Sequence, residues 1–182
     1  MAKPSVSEVV GDLFSQYAPA IYRYCHAQLP REEAEDVTSE VFIVAFHKAG
    51  GIPEEAVKAW LYSVARRLIA THLRSAKRRG ALAYRIGLNL GAGWDQMDVV
   101  GAVTDADLAM RAIAKLSQRD REVLWLSATE DLNLTELGKA LGIGTKGAGM
   151  RLARARQRLG EALQLLEEQD STTRGAEGVV LS

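Results

Sequence analysis

The sequence predicts an all-α protein of two small helical domains joined by a flexible linker. Apolar residues recur every three or four positions, and no stretch alternates strictly over a strand's length. Two such helical blocks stand out, about residues 9–79 and 105–168. Between them, 80–104 carries Gly80, Gly87, Gly91, Gly93 and Gly101, whose backbone freedom opposes a helix. A structureless connection of that length is rare inside one compact domain and reads as a linker. Beyond the second block, 169–182 is polar and contains glycine, and is expected to fray.

Composition excludes several classes. The chain has 182 residues, 47% hydrophobic and 25% charged, which suits a globular protein and neither a disordered nor a collagen-like one. Aromatic residues are only 6%, so Leu, Val, Ile and Ala must build the core. Lys plus Arg and Asp plus Glu are both 23, which rules out a globally basic nucleic-acid binder but leaves room for basic patches. No apolar run approaches the roughly 18 residues of a membrane span, so no membrane insertion is expected. Met1 to Gly11 has one Lys and no apolar segment, unlike a signal peptide. The single Cys25 forms no internal disulfide, and the expected compartment is cytoplasmic.

In the first block, the stretch Ala34 to Lys48 places Val37, Val41 and Val44 on one helical face, the expected core side. Asp36, Ser39, Glu40, Ile43 and His47 gather on a neighbouring face, a mixture of charge and apolar surface compatible with protein docking. Gly50-Gly51-Ile52-Pro53 is a loop by composition and could reach an unstacked base. The next helix, Glu55 to Arg79, turns Val57, Trp60, Leu61, Val64 and Leu68 inward. Ser63, Arg66, Arg67, Arg74 and Lys77 lie opposite, extended by Arg78 and Arg79 at the end that favours cations. With Trp60 and Tyr62 nearby, that face fits a nucleic-acid groove with aromatics for stacking, although Trp60 belongs with the core side.

In the second block, Ser117 caps a helix through Arg121, Val123, Leu124 and Leu126. Asn133 then caps another, with Glu136 placed to cap back and Leu132 and Leu137 to close as a staple. Gly142 can end it in the left-handed conformation, and a further helix starts near Gly144 or Thr145. Helix, glycine turn, helix is the helix-turn-helix pattern. On the last helix Ala148, Leu152, Ala155, Leu159, Leu163 and Leu166 share the packing face. Lys146, Met150, Arg151, Arg154 and Arg158 fall on the other side, available to phosphates or base edges.

Charge is sorted along the chain although it cancels overall. Acids dominate Arg31 to Glu55, bases are alone in Lys58 to Arg85 and in Lys146 to Arg158, and acids are alone at Asp95, Asp98, Asp105 and Asp107. Such alternation suggests several distinct partners. No enzyme is expected: His26, His47 and His72 have no metal-ligand spacing, so neither a metal nor a cofactor is expected. Gly142-Ile143-Gly144 follows a helix rather than a strand, so it is no dinucleotide loop.

Taken together, Glu33 to Phe42 (EAEDVTSEVF) and Trp60 to Leu68 (WLYSVARRL) resemble region 2 of bacterial sigma factors. Leu116 to Leu124 (LSQRDREVL) and the helix-turn-helix resemble region 4. With no region 3 domain between them, the chain is similar to the extracytoplasmic-function (ECF) group, over about Leu13 to Leu166. The resemblance implies a promoter-specificity subunit of RNA polymerase. Region 2 would bind the polymerase clamp helices and open the −10 element; region 4 would bind the flap tip and read the −35 duplex. Asp36, Ser39, Glu40, Ile43 and His47 would then face polymerase. Ile52, Arg66, Arg67, Arg74, Lys77 and Arg78 would hold the −10 region. Lys146, Met150, Arg151, Arg154 and Arg158 would meet the −35 duplex. An acidic linker would suit a channel normally occupied by nucleic acid. An anti-sigma factor is a further partner implied by many relatives.

The chain departs from the family pattern in two places. Arg67 and Thr71 stand where region 2 commonly has Asn and Asp, and Gly147-Ala148-Gly149-Met150 stands where the recognition helix commonly opens Thr-Val-Lys-Ser. Two other readings stay open at the level of residues: a stand-alone helix-turn-helix regulator, and a decoy that keeps the fold but binds DNA weakly through Gly147 and Gly149.

Overall fold

The computed structural model describes residues 5–78 and 106–179, and every described regular element is helical. The expected linker, 80–104, lies outside the described residues. In the N-terminal half, α1 spans Val6–His26, α2 Arg31–Lys48 and α3 Val57–Arg78. In the C-terminal half, α4 spans Ala106–Lys115, α5 Gln118–Ala128, α6 Leu134–Leu141 and α7 Thr145–Val179. Short 3₁₀ turns, Ala49–Gly51 and Glu54–Ala56, bracket the loop between α2 and α3.

The helix boundaries follow local chemistry. Ser5 and Glu8 form a reciprocal cap at the start of α1, with Glu8 Oε2 accepting from the Ser5 amide at 2.7 Å. Ser117 caps α5 by accepting the Asp120 amide. Asn133 Oδ1 accepts from the amides of Thr135 and Glu136 at 2.9 and 3.0 Å, while Glu136 caps back onto the Asn133 amide. Each satisfies donors that a helix start leaves without partners. Gly142 closes α6 at φ 66°, ψ 33°, a conformation a β-carbon would strain.

Packing places α1 on α2, α2 on α3, and α7 across α4, α5 and α6. Val37, Val41, Leu61 and Val64 are buried as their periodicity requires, as are Ala148, Leu152, Ala155, Leu159 and Leu166 on α7. Val44, Val57, Trp60, Leu68 and Leu163 are partly buried against the same core.

Three features differ from the sequence expectation. Helix α3 packs against α6, so the halves share one continuous apolar core. Tyr62 is 1% exposed, edge-on to Tyr24 with ring centroids 5.2 Å apart, and is not available to stack on a base. Helix α7 runs to Val179, past the point where fraying is expected. There Arg111 holds Asp170 with paired hydrogen bonds of 2.8 and 3.0 Å.

Candidate polymerase and nucleic-acid interfaces

The first surface lies on α2. Asp36, Ser39, Glu40, Ile43 and His47 are all exposed, because the burial of Val37, Val41 and Ala45 turns the opposite face inward. Ile43 is 56% exposed, and Phe46 beside it is 48% exposed. Phe46 falls three positions after Ile43 on the same stripe, a spacing by which the sequence alone could have added it to this face. Phe14 of α1 is also exposed, and it stacks edge-on with the buried Phe42 at 4.9 Å. Glu40 Oε2 lies 3.8 Å from His72 Nε2 on α3, and Glu33 Oε2 lies 3.8 Å from the ring's other nitrogen. Exposed apolar side chains ringed by acids are the composition of a protein-docking face rather than of a nucleic-acid face.

The second surface is a cleft of about 700 Å³ between the halves. Arg66, Arg67, Arg74 and Thr71 of α3 line one side, and Gln118, Arg119 and Glu122 of α5 line the other. Arg67 and Arg119 are exposed and have no ion-pair partner among the described residues. Arg74 donates to Thr71 Oγ1 at 3.1 Å. Arg66 is engaged differently: its Nε donates to Glu122 Oε1 at 3.0 Å. Arg119 joins this basic surface from the far half, which no local pattern indicates. Ile52 is half-buried against the core between the two 3₁₀ turns. Lys77 and Arg78 end α3, and their side chains lie outside the described residues.

The third surface is the outer side of α7. Lys146, Met150 and Arg154 are exposed, and Arg151 is half-exposed. Ser117, Arg119, Ile143 and Gly147 complete a groove of about 560 Å³ with Met150, Arg151, Arg154 and Arg158. Arg151 Nη1 is buried and makes no hydrogen bond among the described residues. Arg158 is already occupied, since its Nη1 donates to both carboxylate oxygens of Asp120 at 2.9 Å. Gly147 and Gly149 are not demanded by packing. A β-carbon at either would meet only ordinary contacts, 3.8 Å from Ile143 and 3.7 Å from Leu134. Gly138 is demanded: a β-carbon there would sit 2.9 Å from the Ile143 carbonyl oxygen.

Other reactive groups serve the core. Cys25 is fully buried beneath α2, and burial pushes its thiol up to about 12. Burial first, and then the Glu122 carboxylate, raises the Tyr24 hydroxyl well above the usual phenol range. No group of three or more His, Cys, Asp or Glu side chains suited to a metal occurs among the described residues. No helix among them is long and apolar enough to cross a membrane.

Comparison with known proteins agrees with this layout. A model of Sigma-70 region 2 matches residues 13–79, and a model of Sigma-70 region 4 matches residues 106–159. The chain is 26% identical over 151 residues to the ECF RNA polymerase sigma factor BldN of Streptomyces coelicolor. That match covers 78% of this chain but only 55% of BldN, so the chain spans about half of that relative's length. It is 25% identical to the ECF sigma factor SigW of Bacillus subtilis, covering 89% of this chain and 92% of SigW. It is 29% identical to the ECF sigma factor SigL of Mycobacterium tuberculosis, covering 85% and 88%. Two solved structures share the fold. RpoE in complex with the anti-sigma factor NepR from Bartonella quintana matches with a TM-score of 0.61 at 19% identity, over 85% of this chain and 96% of that one. CnrH in complex with the cytosolic domain of CnrY matches with a TM-score of 0.58 at 20% identity, over 86% and 88%.

Proposed function

Because this chain belongs to the ECF RNA polymerase sigma factors, we propose that it binds core RNA polymerase, recognises −35 and −10 promoter elements and helps open the DNA. Sigma factors are not enzymes; the polymerase supplies the chemistry and this chain supplies the address. The proposed units are a region 2-like domain over 9–79, a linker over 80–104 and a region 4-like domain over 105–168.

The exposed Asp36, Ser39, Glu40, Ile43 and His47 face, widened by Phe46, supports docking on the polymerase clamp helices. Arg66, Arg67 and Arg74, with Lys77 and Arg78 beyond them, would hold the −10 region by neutralising phosphates. The loop carrying Ile52 would take a flipped base. Lys146, Met150, Arg151 and Arg154 would enter the major groove of the −35 duplex, where Arg pairs best with guanine edges and Met with a thymine methyl. Arg158 would steady this helix through Asp120 while keeping part of its charge toward the phosphates. The region 4-like half would also meet the flap tip. An anti-sigma factor is a natural controlling partner, since the sigma factor RpoE, a solved structure of like fold, is in complex with the anti-sigma factor NepR.

One observation carries the −35 reading: the exposed Lys146, Met150 and Arg154 stand on the outer side of α7, and Met150 and Arg154 line one groove with Arg151 and Arg158. Phosphates and base edges accept from side chains displayed in this way. The experiment is run-off transcription with purified core polymerase on a pool of genomic promoter fragments, with and without this protein. New discrete start sites are expected. Duplex binding with no new transcripts would overturn the reading in favour of a stand-alone regulator, and polymerase binding with transcription suppressed would favour a decoy.

A further inference from the structure

Charge is unevenly matched in the cleft between α3 and α5. Its lining holds four arginines, Arg66, Arg67, Arg74 and Arg119, against one carboxylate, Glu122. That carboxylate is already engaged. It is 9% exposed and accepts from the Tyr24 hydroxyl at 2.8 Å and from Arg66 Nε at 3.0 Å, both on one oxygen. The two terminal nitrogens of Arg66 make no hydrogen bond among the described residues. Arg74 donates to Thr71 Oγ1, a neutral partner whose own proton goes to the Arg67 carbonyl oxygen at 3.0 Å. Arg67 and Arg119 have no ion-pair partner among the described residues. The lining is therefore left with three positive charges in excess.

Like charges gathered around one cleft repel, and an anion that enters relieves them. Guanidinium forks match phosphate oxygens with paired, charge-assisted hydrogen bonds, which makes phosphate the fitting anion. A volume of about 700 Å³ is that of a small-molecule pocket, which runs from about 300 to 1,000 Å³. Arg67 and Arg74 come from α3 and Arg119 from α5, so the cations reach a ligand from two walls. A duplex is a convex rod whose phosphates would meet one wall at a time. A short chain of phosphates fits between both walls and balances several charges at once. Ala70 and Leu73, half-buried, line the same cleft and offer an apolar surface beside the arginines.

We infer that this cleft is a binding site for a compact oligophosphate, free or carried on a nucleoside, held by Arg67 and Arg74 on one wall and Arg119 on the other. Glu122 fixes Arg66 as a further donor and, being paired, does not repel the ligand. The site stands on the charge and shape of the cleft. Its ligand also occupies Arg67 and Arg74, assigned above to the −10 region, so oligophosphate and promoter DNA compete. Only that competition rests on the promoter-binding role.

The test uses the full chain, without DNA or polymerase. Calorimetric titration with inorganic tripolyphosphate, free of divalent cations and at constant ionic strength, is expected to show one saturable site. Orthophosphate, which engages fewer guanidinium groups, is expected to bind at least about tenfold more weakly. Arg67→Ala and Arg119→Ala are each expected to weaken tripolyphosphate binding about tenfold, with the circular dichroism spectrum unchanged because both side chains are exposed. Arg119 also lines the α7 groove, whereas Arg154 lines that groove and not the cleft, so Arg154→Ala is expected to leave the affinity unchanged. Where a variant disturbs folding, melts of the unaltered protein serve: tripolyphosphate should raise Tm more than sulfate of equal ionic strength. ATP in the same titration distinguishes the sources, tighter binding than tripolyphosphate identifying a nucleoside-borne chain and equal or weaker binding a free one. An equal loss in Arg154→Ala and Arg119→Ala would move the anion to the α7 groove and overturn the cleft site. Orthophosphate binding as tightly as tripolyphosphate would overturn it in favour of an unspecific anion contact. Absence of saturable tripolyphosphate binding would overturn it too, even where a single-stranded oligonucleotide binds through Arg67 and Arg119. A forked −10 oligonucleotide that tripolyphosphate fails to displace would overturn the competition and leave the site.

Discussion

Arg158 of α7 grips Asp120 at the start of α5, one guanidinium nitrogen 2.9 Å from both carboxylate oxygens. Asp120 is 4% exposed and also accepts from the Ser117 hydroxyl at 2.7 Å. The arginine therefore neutralises a nearly buried charge and ties α7 to α5. Removing it leaves that charge without its cation, a loss of about 2 kcal/mol given that the arginine itself is half-exposed. Arg158→Ala should lower Tm clearly in a thermal melt. An unchanged Tm would show the pair to be a surface contact of no consequence.

Arg154 offers the contrasting case, since it is exposed and has no ion-pair partner among the described residues. Arg154→Ala should leave Tm unchanged. In −35 duplex titrations across salt concentrations, it should reduce the logarithmic salt slope by about one, the counterion released per phosphate contact. A wild-type slope would place Arg154 away from DNA.

The α2 face tests polymerase docking in isolation from the fold. Asp36 and Glu40 are exposed, and neither supports the core. Asp36→Arg with Glu40→Arg should abolish co-purification with core polymerase while the circular dichroism spectrum stays that of the wild type. Retained co-purification would remove this face from the interface.

Glycines in the helix-turn-helix should respond with opposite signs. Gly138→Ala drives a β-carbon against the Ile143 carbonyl at 2.9 Å and should destabilise the protein. Gly147→Ala and Gly149→Ala meet only ordinary contacts inside a helix, so each should stabilise by up to about 1 kcal/mol. Denaturant melts of the three variants decide the matter. A stabilised Gly138→Ala would contradict the close approach of α6 to the turn.

Alkaline stability follows from the buried Cys25 thiol and Tyr24 hydroxyl. Burial raises both above their ordinary values, Cys25 to about 12 and Tyr24 well above 10.0. The unfolded chain releases these protons first. Stability is therefore fully present below the unfolded thiol value, near pH 9, and falls as pH rises toward 12. Each group held protonated contributes a slope of about 1.4 kcal/mol per pH unit. The same burial should keep Cys25 unreactive toward a thiol reagent at pH 8 until the protein is unfolded. Rapid labelling of the native chain would contradict it.

Much of this protein was legible in its chain order because the governing forces are local. Helical periodicity placed Val37, Val41, Ala148 and Leu152 inward, and caps at Asn133 and Gly142 set the helix-turn-helix within a residue. The exposed Asp36 to His47 face followed from the same periodicity, since burying one side of a helix presents the other. Partners across the fold were not legible. Nothing near Glu122 or Glu130 in sequence marks them as buried, and Arg66 and Arg158 read only as cations on an outer face. Tyr62 read as available for stacking until Tyr24 closed over it. Those outcomes depend on which helices meet, Tyr24 with Glu122 across 98 positions and Lys58 with Glu130 across 72. A helix's own residues set its boundaries and its apolar stripe within one or two turns. The fate of a charge is set by the dielectric and the counter-charge around it, and only the packed chain brings those together.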